Sequence, residues 1–171
     1  MSRQEIARPA GYAPGVGALL SMMEDCRSRT LGEVDRVFPQ SIDTPTTWSG
    51  NSVGSLLYHI AAIELDWLFA DILEEEFPED TAQWFPHDVR EESGRLTPVG
   101  GDDLDRHRAR LAWVRGYTRA ALATLSDDDL GMDRPAGDDG SVTVEWILHH
   151  LLQHEAEHRG QLAEIRTSLQ S

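Results

Sequence analysis

The sequence has one cysteine, no long apolar run and few positive charges. Cys26 has no partner within the chain, so an intrachain disulfide is excluded and a reducing compartment is the default expectation. No stretch of about 18 apolar residues is present, which argues against a membrane-spanning helix. The first residues lack the apolar centre of a signal peptide. We therefore expect a cytoplasmic protein.

The shortage of positive charge is marked, with 15 basic against 30 acidic residues and a formal net charge of −15. Nucleic-acid phosphates and anionic membrane surfaces both attract Lys and Arg, so neither is an expected partner. A strong net charge is typical of a well-solvated protein. The length of 171 residues predicts one domain, spanning 1–171, with a sizeable core.

Apolar residues recur with helical spacing in four segments, and no segment shows the alternation that is typical of a strand. The predicted helices run approximately from Pro14 to Phe38, from Ser52 to Glu76, from Asp102 to Leu125, and from Ser141 or Thr143 to Leu169. About 25 residues connect the second helix to the third, which is long enough to run the length of a bundle. We predict an all-α fold, a four-helix bundle with this long crossover.

The C-terminal segment LLQHEAEHRGQL holds the most informative pattern, a pair of histidines at i, i+4. His154 and His158 occupy positions where the apolar repeat of the helix calls for core residues. On a helix the two imidazoles lie about 40° apart on one face. Two neutral imidazoles in that arrangement can bind one divalent metal.

HEAEH also matches the H-E-x-x-H motif of zinc proteases, in which the Glu is a general base. Such enzymes take a third ligand downstream, and Glu164, the only carboxylate after His158, lies on the same helix and points away from the pair. A peptide-binding strand is also missing from the prediction. The protease interpretation is therefore disfavoured, and Glu155 is expected to be solvated.

A third ligand must then come from upstream. His59 is the best candidate, because it lies mid-helix in LLYHIAAIELDWL on a face shared with Leu56 and Ile63. His150, one turn before His154, is either a fourth ligand or a supporting residue. Three facial nitrogens would leave coordination positions open, as catalytic metals require. The remaining histidines are His87 in the long connection, His107 near the start of the third helix, and His149 off the apolar seam.

These residues carry a family resemblance. GSLLYHIAAIELDWL, the long middle connection and TVEWILHHLLQHEAEHRGQL together resemble the DinB/YfiT-like superfamily of damage-inducible and thiol-transferase proteins. The resemblance implies an up-down-down-up four-helix bundle, a nickel or zinc ion held by His59, His154 and His158, and homodimers. It also implies S-transfer with low-molecular-weight thiols such as mycothiol or bacillithiol.

Two functions remain open at this point. One is a metal-dependent thiol S-transferase, which would act on a small thiol and an electrophile, and the other is a non-catalytic metal-binding module of a stress response. A metal-dependent hydrolase is a further alternative. Coordination by His150 would favour the closed, structural site. Trp84 and Phe85, in the long connection, are expected to be exposed and to need cover from a second subunit.

Overall fold

The computed structural model of the protein describes residues 5–136 and 140–169. This part of the chain is mainly helical, with four long helices and a short one. The helices are α1 (Pro14–Val34), α2 (Val53–Asp66), the short α3 (Thr81–Trp84), α4 (Leu104–Leu122) and α5 (Val144–Leu169). A two-stranded sheet, β1 (Asp133–Ala136) and β2 (Gly140–Thr143), precedes α5. None of the described helices has the length and apolarity needed to cross a membrane.

Polar side chains cap the first turns of three long helices. The Ser52 hydroxyl accepts a hydrogen bond from the Ser55 backbone N–H, and the Asp103 carboxylate accepts one from the Arg106 N–H. Thr143 Oγ1 accepts the N–H of Trp146 at 3.2 Å. Each bond satisfies a backbone donor that the first helical turn leaves without a partner.

The helix ends differ more from prediction. Helix α1 ends at Val34 rather than at Phe38. Helix α2 continues as a π-helix, Trp67–Leu73, and stops at Glu74, whose φ of 53° is left-handed. A residue in this conformation cannot continue a right-handed helix, so the chain turns before Pro78 is reached.

The prediction that no strand is present is wrong. β1 and β2 pair antiparallel, in a register that runs from Asp133 opposite Thr143 to Ala136 opposite Gly140. Each strand is only four residues long and contains a residue that disfavours strands, Pro135 or Gly140. Periodicity cannot reveal strands this short, which are stabilised by pairing with each other directly before α5.

The long helices enclose one apolar core. α1 packs mainly on α5 and α4, and α2 packs mainly on α4 and α5. Each helix contributes fully buried aliphatic side chains, among them Val16, Leu56, Leu111 and Leu148. This burial is the main driving force for association of the helices.

The aromatic residues of the long connection are covered by the same chain. Trp84 stacks on Trp113 of α4 with ring centroids 5.6 Å apart, and the Arg106 guanidinium lies 4.0 Å from the Trp84 ring centroid. Phe85 meets the Tyr58 ring edge-on. The expectation that Trp84 and Phe85 are exposed is therefore wrong, and they supply no reason for a second subunit.

A network of charged side chains lies inside the helices. It contains one residue from each long helix, Arg27 of α1, Glu64 of α2, Arg115 of α4 and Glu155 of α5, and we call these four the buried charge cluster. Each is at most 6% exposed. Arg27 bonds to Glu155 and Glu64 at 2.7 Å, and Arg115 bonds to Glu64 at 2.6 Å. Thr118 adds a hydroxyl donor to Glu64 at 2.7 Å.

The two arginines control the ionisation of Glu64. Burial by itself raises the pKa of this carboxyl, but Arg115 and Arg27 outweigh the effect of burial and hold the pKa at about 2, below the ordinary 4.5. Since the folded-state pKa lies below the unfolded value, the ionised form stabilises the fold fully above pH 4.5. That stabilisation is lost as the pH falls from 4.5 towards 2.

We predict that Glu64→Gln will lower the free energy of unfolding by about 3–5 kcal/mol at pH 7, because it leaves buried arginine charge uncompensated. The measurement is urea denaturation followed by circular dichroism. Asp25→Asn is the matched control, since it removes the exposed ion pair of Asp25 with Arg29, and it should cost less than about 1 kcal/mol. Equal losses in the two variants would contradict a stabilising role for the cluster.

Candidate metal centre

The structure brings together the three histidines predicted as metal ligands. His59 lies in the middle of α2, and His154 and His158 lie one turn apart on α5, where α5 packs against α2. The Nε2 atom of His154 is 3.1 Å from that of His59 and 3.0 Å from that of His158. One ring nitrogen of each residue lies within 4.8 Å of the other two. We call these residues the histidine triad.

The hydrogen bonds of the triad leave its Nε2 atoms facing one another. His158 Nδ1 lies 3.0 Å from Gln161 Oε1, an acceptor, so the Nδ1 nitrogen carries the proton and the Nε2 lone pair of neutral His158 is free. A proton on His154 Nε2 can be donated to only one of its two neighbours. A single cation between the three nitrogens would satisfy all of them at once, and Gln161 would then be the outer partner that fixes the ring.

The Nε2 separations fit a shared metal ion. Imidazole nitrogens bind zinc at about 2.0–2.1 Å, so two ligands of one ion at tetrahedral to octahedral angles lie about 2.9–3.4 Å apart. The separations of the His154 nitrogen from its two neighbours, 3.1 and 3.0 Å, fall within this range. Imidazole is a donor that suits both zinc and nickel. The donor set and its spacing therefore fit the divalent metal expected from the sequence.

The surroundings keep the triad neutral. Burial, followed by the charge of neighbouring His158, lowers the pKa of His59 to about 4. Burial, followed by repulsion from the adjacent histidines, lowers the pKa of His154 to about 3, and burial also lowers that of His158. Arg90 contributes to all three shifts, which places its charge close to the triad. Neutral imidazole is the form that binds metals.

The triad is buried at one side and accessible at the other. His59 is 1% exposed, and its Nδ1 has no hydrogen-bond partner within the described residues. His154 and His158 are half-buried. A cavity of about 250 Å³ opens beside His158, so a small molecule can approach the triad from this side. Its lining residues are Ser49, Asn51, Arg90, Gly94, Arg95, Leu96, His158 and Gln161.

His150 does not join the triad. Its ring stacks on Trp146 with centroids 5.1 Å apart and an interplanar angle of 5°, and it also contacts Trp67. Its centroid is 6.1 Å from that of His154. His150 is therefore a packing neighbour of the triad, and among the described residues the potential ligands His59, His154 and His158 form a group without it.

The other histidines lie elsewhere. His107 is completely buried, with its Nδ1 3.0 Å from an Arg110 nitrogen, whereas His87 and His149 are exposed. His87 approaches the core only through its backbone, which exchanges hydrogen bonds with the Tyr58 hydroxyl.

The expectation that Glu155 is solvated is wrong. The residue is 3% exposed, and its two carboxylate oxygens accept hydrogen bonds from Arg27 and Arg115 in the buried charge cluster. A general base needs a free carboxylate within reach of water or substrate. The Glu of HEAEH has neither, which removes the central feature of the protease interpretation.

Cys26 is also unsuited to act as a nucleophile. Burial, followed by the negative charge of Glu155, raises the pKa of its thiol above the ordinary value. Its Sγ faces the Leu152 carbonyl oxygen at 3.6 Å. Thiol chemistry at this site would therefore need a thiol from outside the protein.

Sequence reasoning missed the residues that surround the triad. Gln161 follows His158 by three positions, a spacing that places both on one helical face and could have indicated the contact. Arg90, Ser49 and Asn51 come from two connections that are distant in sequence, and no spacing rule predicts their approach.

The comparisons with known proteins agree with this architecture. A solved structure described as a conserved protein from Enterococcus faecalis superposes with a TM-score of 0.70 and 16% identity, covering 86% of this chain and 92% of the other. At this identity the likeness shows the fold alone. None of the curated proteins matches the chain.

The family model of mycothiol-S-transferases matches residues 18–171, which include all the long helices except the first turn of α1 and all three triad histidines. The match confirms the resemblance to the DinB/YfiT-like superfamily that the histidine motifs indicated. The chain belongs to the mycothiol-S-transferase family.

Proposed function

We propose that the protein is a metal-dependent thiol S-transferase, which joins a low-molecular-weight thiol to an electrophile in detoxification or stress. The main support is the convergence of three neutral imidazole Nε2 atoms beside an open cavity. Membership of the mycothiol-S-transferase family favours a thiol as the nucleophile. The assignment of the chain to an S-transferase family does not depend on a metal.

In this proposal His59, His154 and His158 hold a divalent ion, nickel or zinc. Such an ion lowers the pKa of a thiol that binds to it and so favours the reactive thiolate at neutral pH. The residues of the chain have separate tasks. His59 supplies a nitrogen that burial keeps neutral, and Gln161 fixes the His158 ring. The cavity beside His158 admits the reactants.

Neither alternative function is favoured by an observation. A purely structural site would be closed by a fourth protein ligand, but the expected ligand His150 stacks on Trp146 instead. Hydrolysis by the protease mechanism would need Glu155 as a free base, and its carboxylate is occupied by Arg27 and Arg115. A hydrolase in which the metal alone activates water would use the same three histidines, but no other observation favours it.

We predict that His59→Ala, His154→Ala or His158→Ala will each remove most of the bound metal at pH 7.5, because two imidazoles remain where three are needed. Metal content is measured by mass spectrometry after purification and dialysis. His149→Ala is the matched control, since His149 is exposed on the same helix, and it should retain the metal. Full occupancy in a His154→Ala, His158→Ala double variant would disprove the ligand assignment.

The pKa directions predict how the same site responds to acid. Free imidazole takes up a proton near pH 6.5, whereas burial lowers the pKa of His59 to about 4 and that of His154 to about 3. Protons therefore compete with the metal only at lower pH. We expect the wild-type protein to keep its metal at pH 5 and to lose it as the pH approaches 4, as measured by equilibrium dialysis.

We predict that the metal-loaded protein will accelerate the reaction of a small thiol with 1-chloro-2,4-dinitrobenzene, followed by absorbance of the product. A sulfur–carbon bond forms, the carbon–chlorine bond breaks, chloride leaves, and the thiol proton passes to solvent. His59→Ala should abolish the acceleration. Glu155→Gln should destabilise the fold but retain most of the activity per folded molecule, because Glu155 faces the buried charge cluster. Casein digestion that is lost in Glu155→Gln would instead restore the protease interpretation.

The remaining parts of the proposal are a cytoplasmic location, an up-down-down-up helix order and a two-fold homodimer. Large exposed apolar side chains are available for an interface, namely Phe38, Trp48, Phe77 and Trp146. We predict a mass of about twice 19.1 kDa in light scattering at high micromolar concentration. A single mass of 19.1 kDa throughout the concentration range would refute the dimer.

A further inference from the structure

The cavity beside the histidine triad is lined by two arginines that have no carboxylate partner among the described residues. Arg90 and Arg95 both line it, and neither makes an ion pair with any described Asp or Glu. The chain has no lysine, so the guanidinium is its only basic side chain apart from histidine. Two guanidinium groups that line one cavity and have no carboxylate partner among the described residues form a local positive site on an acidic protein.

A tight turn holds the two arginines on neighbouring chain segments. Arg90 pairs with Leu96 in an antiparallel bridge, and the Glu91 N–H donates to the Arg95 carbonyl oxygen at 2.9 Å. Gly94 closes the turn with a φ of 81°, a conformation suited to glycine. Arg90 Nη1 donates to the Gly94 carbonyl oxygen at 2.9 Å, which fixes one end of its guanidinium group. Among the described residues Arg90 makes no other side-chain hydrogen bond, so its remaining N–H groups can donate to a ligand.

The opposite wall comes from the loop between α1 and α2. Gly50 has a φ of 72°, and a Cβ atom at this position would overlap Nη2 of Arg95, so the guanidinium lies directly against the Gly50 backbone. The Gly50 N–H bonds to the Thr46 carbonyl oxygen at 2.8 Å. Ser49, which exchanges a hydrogen bond with Thr46, and Asn51 complete this wall with polar groups.

We propose that Arg90 and Arg95 bind a carboxylate group carried by one of the two reactants of the transfer. Guanidinium groups bind carboxylates through paired, charge-assisted hydrogen bonds. Ser49 and Asn51 offer further polar contacts. A reactant anchored in this way would lie between the arginines and His158, which line the same cavity. The proposal rests on the S-transferase function, and it adds the chemical class of the preferred substrate.

Binding measurements test the proposal independently of activity. Two pairs of probes differ only in a carboxylate: 3,5-dinitrobenzoate against 1,3-dinitrobenzene for the electrophile, and N-acetylcysteine against its amide for the thiol. Calorimetry with the metal-loaded protein should show about tenfold or greater preference for the carboxylate in one pair, which identifies the reactant that carries it. The preference should disappear in the Arg90→Gln, Arg95→Gln double variant.

Arg29→Gln is the matched control, because Arg29 is an exposed arginine on α1 that does not line the cavity, and it should keep the preference. Replacement of both cavity arginines by lysine should restore part of the preference. Lysine carries the same positive charge, but it lacks the planar guanidinium that binds a carboxylate through two hydrogen bonds. Lack of preference in both pairs, or a preference that survives the double glutamine variant, would overturn the proposal. Failure of the S-transferase function is seen separately, as no acceleration with the neutral electrophile 1-chloro-2,4-dinitrobenzene.

Discussion

The fold depends on placing two positive and two negative side chains together in the buried interior. Arg27, Glu64, Arg115 and Glu155 come from four different helices, and each is almost fully buried. A charge removed from water is costly unless an opposite charge and hydrogen bonds compensate it. Because every member needs the others, a shift or rotation of any long helix would leave charge unpaired. The apolar core brings the helices together, and the cluster adds the requirement that they meet with these charges paired.

The same two helices that carry the acidic half of the cluster carry the histidine triad. Glu155 lies between His154 and His158 on α5, and Glu64 follows His59 on α2 by five positions, about 7.5 Å along the axis. The bonds from Arg27 to both carboxylates therefore fix α2 and α5 relative to each other next to the point where the three Nε2 atoms meet. A site held by rigid helices keeps its geometry before any ligand arrives, which is the condition for tight metal binding and fast chemistry.

Helical periodicity predicted most of this arrangement. The i, i+4 spacing of His154 and His158 and the inward face of His59 were sufficient to place the triad, because a helix fixes which side chains share a face. The same reasoning failed for Glu155. Periodicity places this residue off the histidine stripe, but it does not show that Arg27 on α1 binds its carboxylate. It also failed for Trp84 and Phe85, whose cover comes from Trp113 and Tyr58. Contacts between connections and helices depend on tertiary packing, and local patterns do not encode them.

The cavity has two kinds of wall, and this difference affects how the protein can change. Its histidine side belongs to helices constrained by the buried charges, whereas its outer sides belong to the turn around Gly94 and the loop around Gly50. Substitutions in a helix that holds both ligands and core charges carry a large risk of unfolding, but loop substitutions leave that framework intact. Related proteins can thus acquire a preference for new substrates through changes in these two short segments, while the histidine triad stays the same. Substrate range should diverge between relatives much faster than the chemistry does.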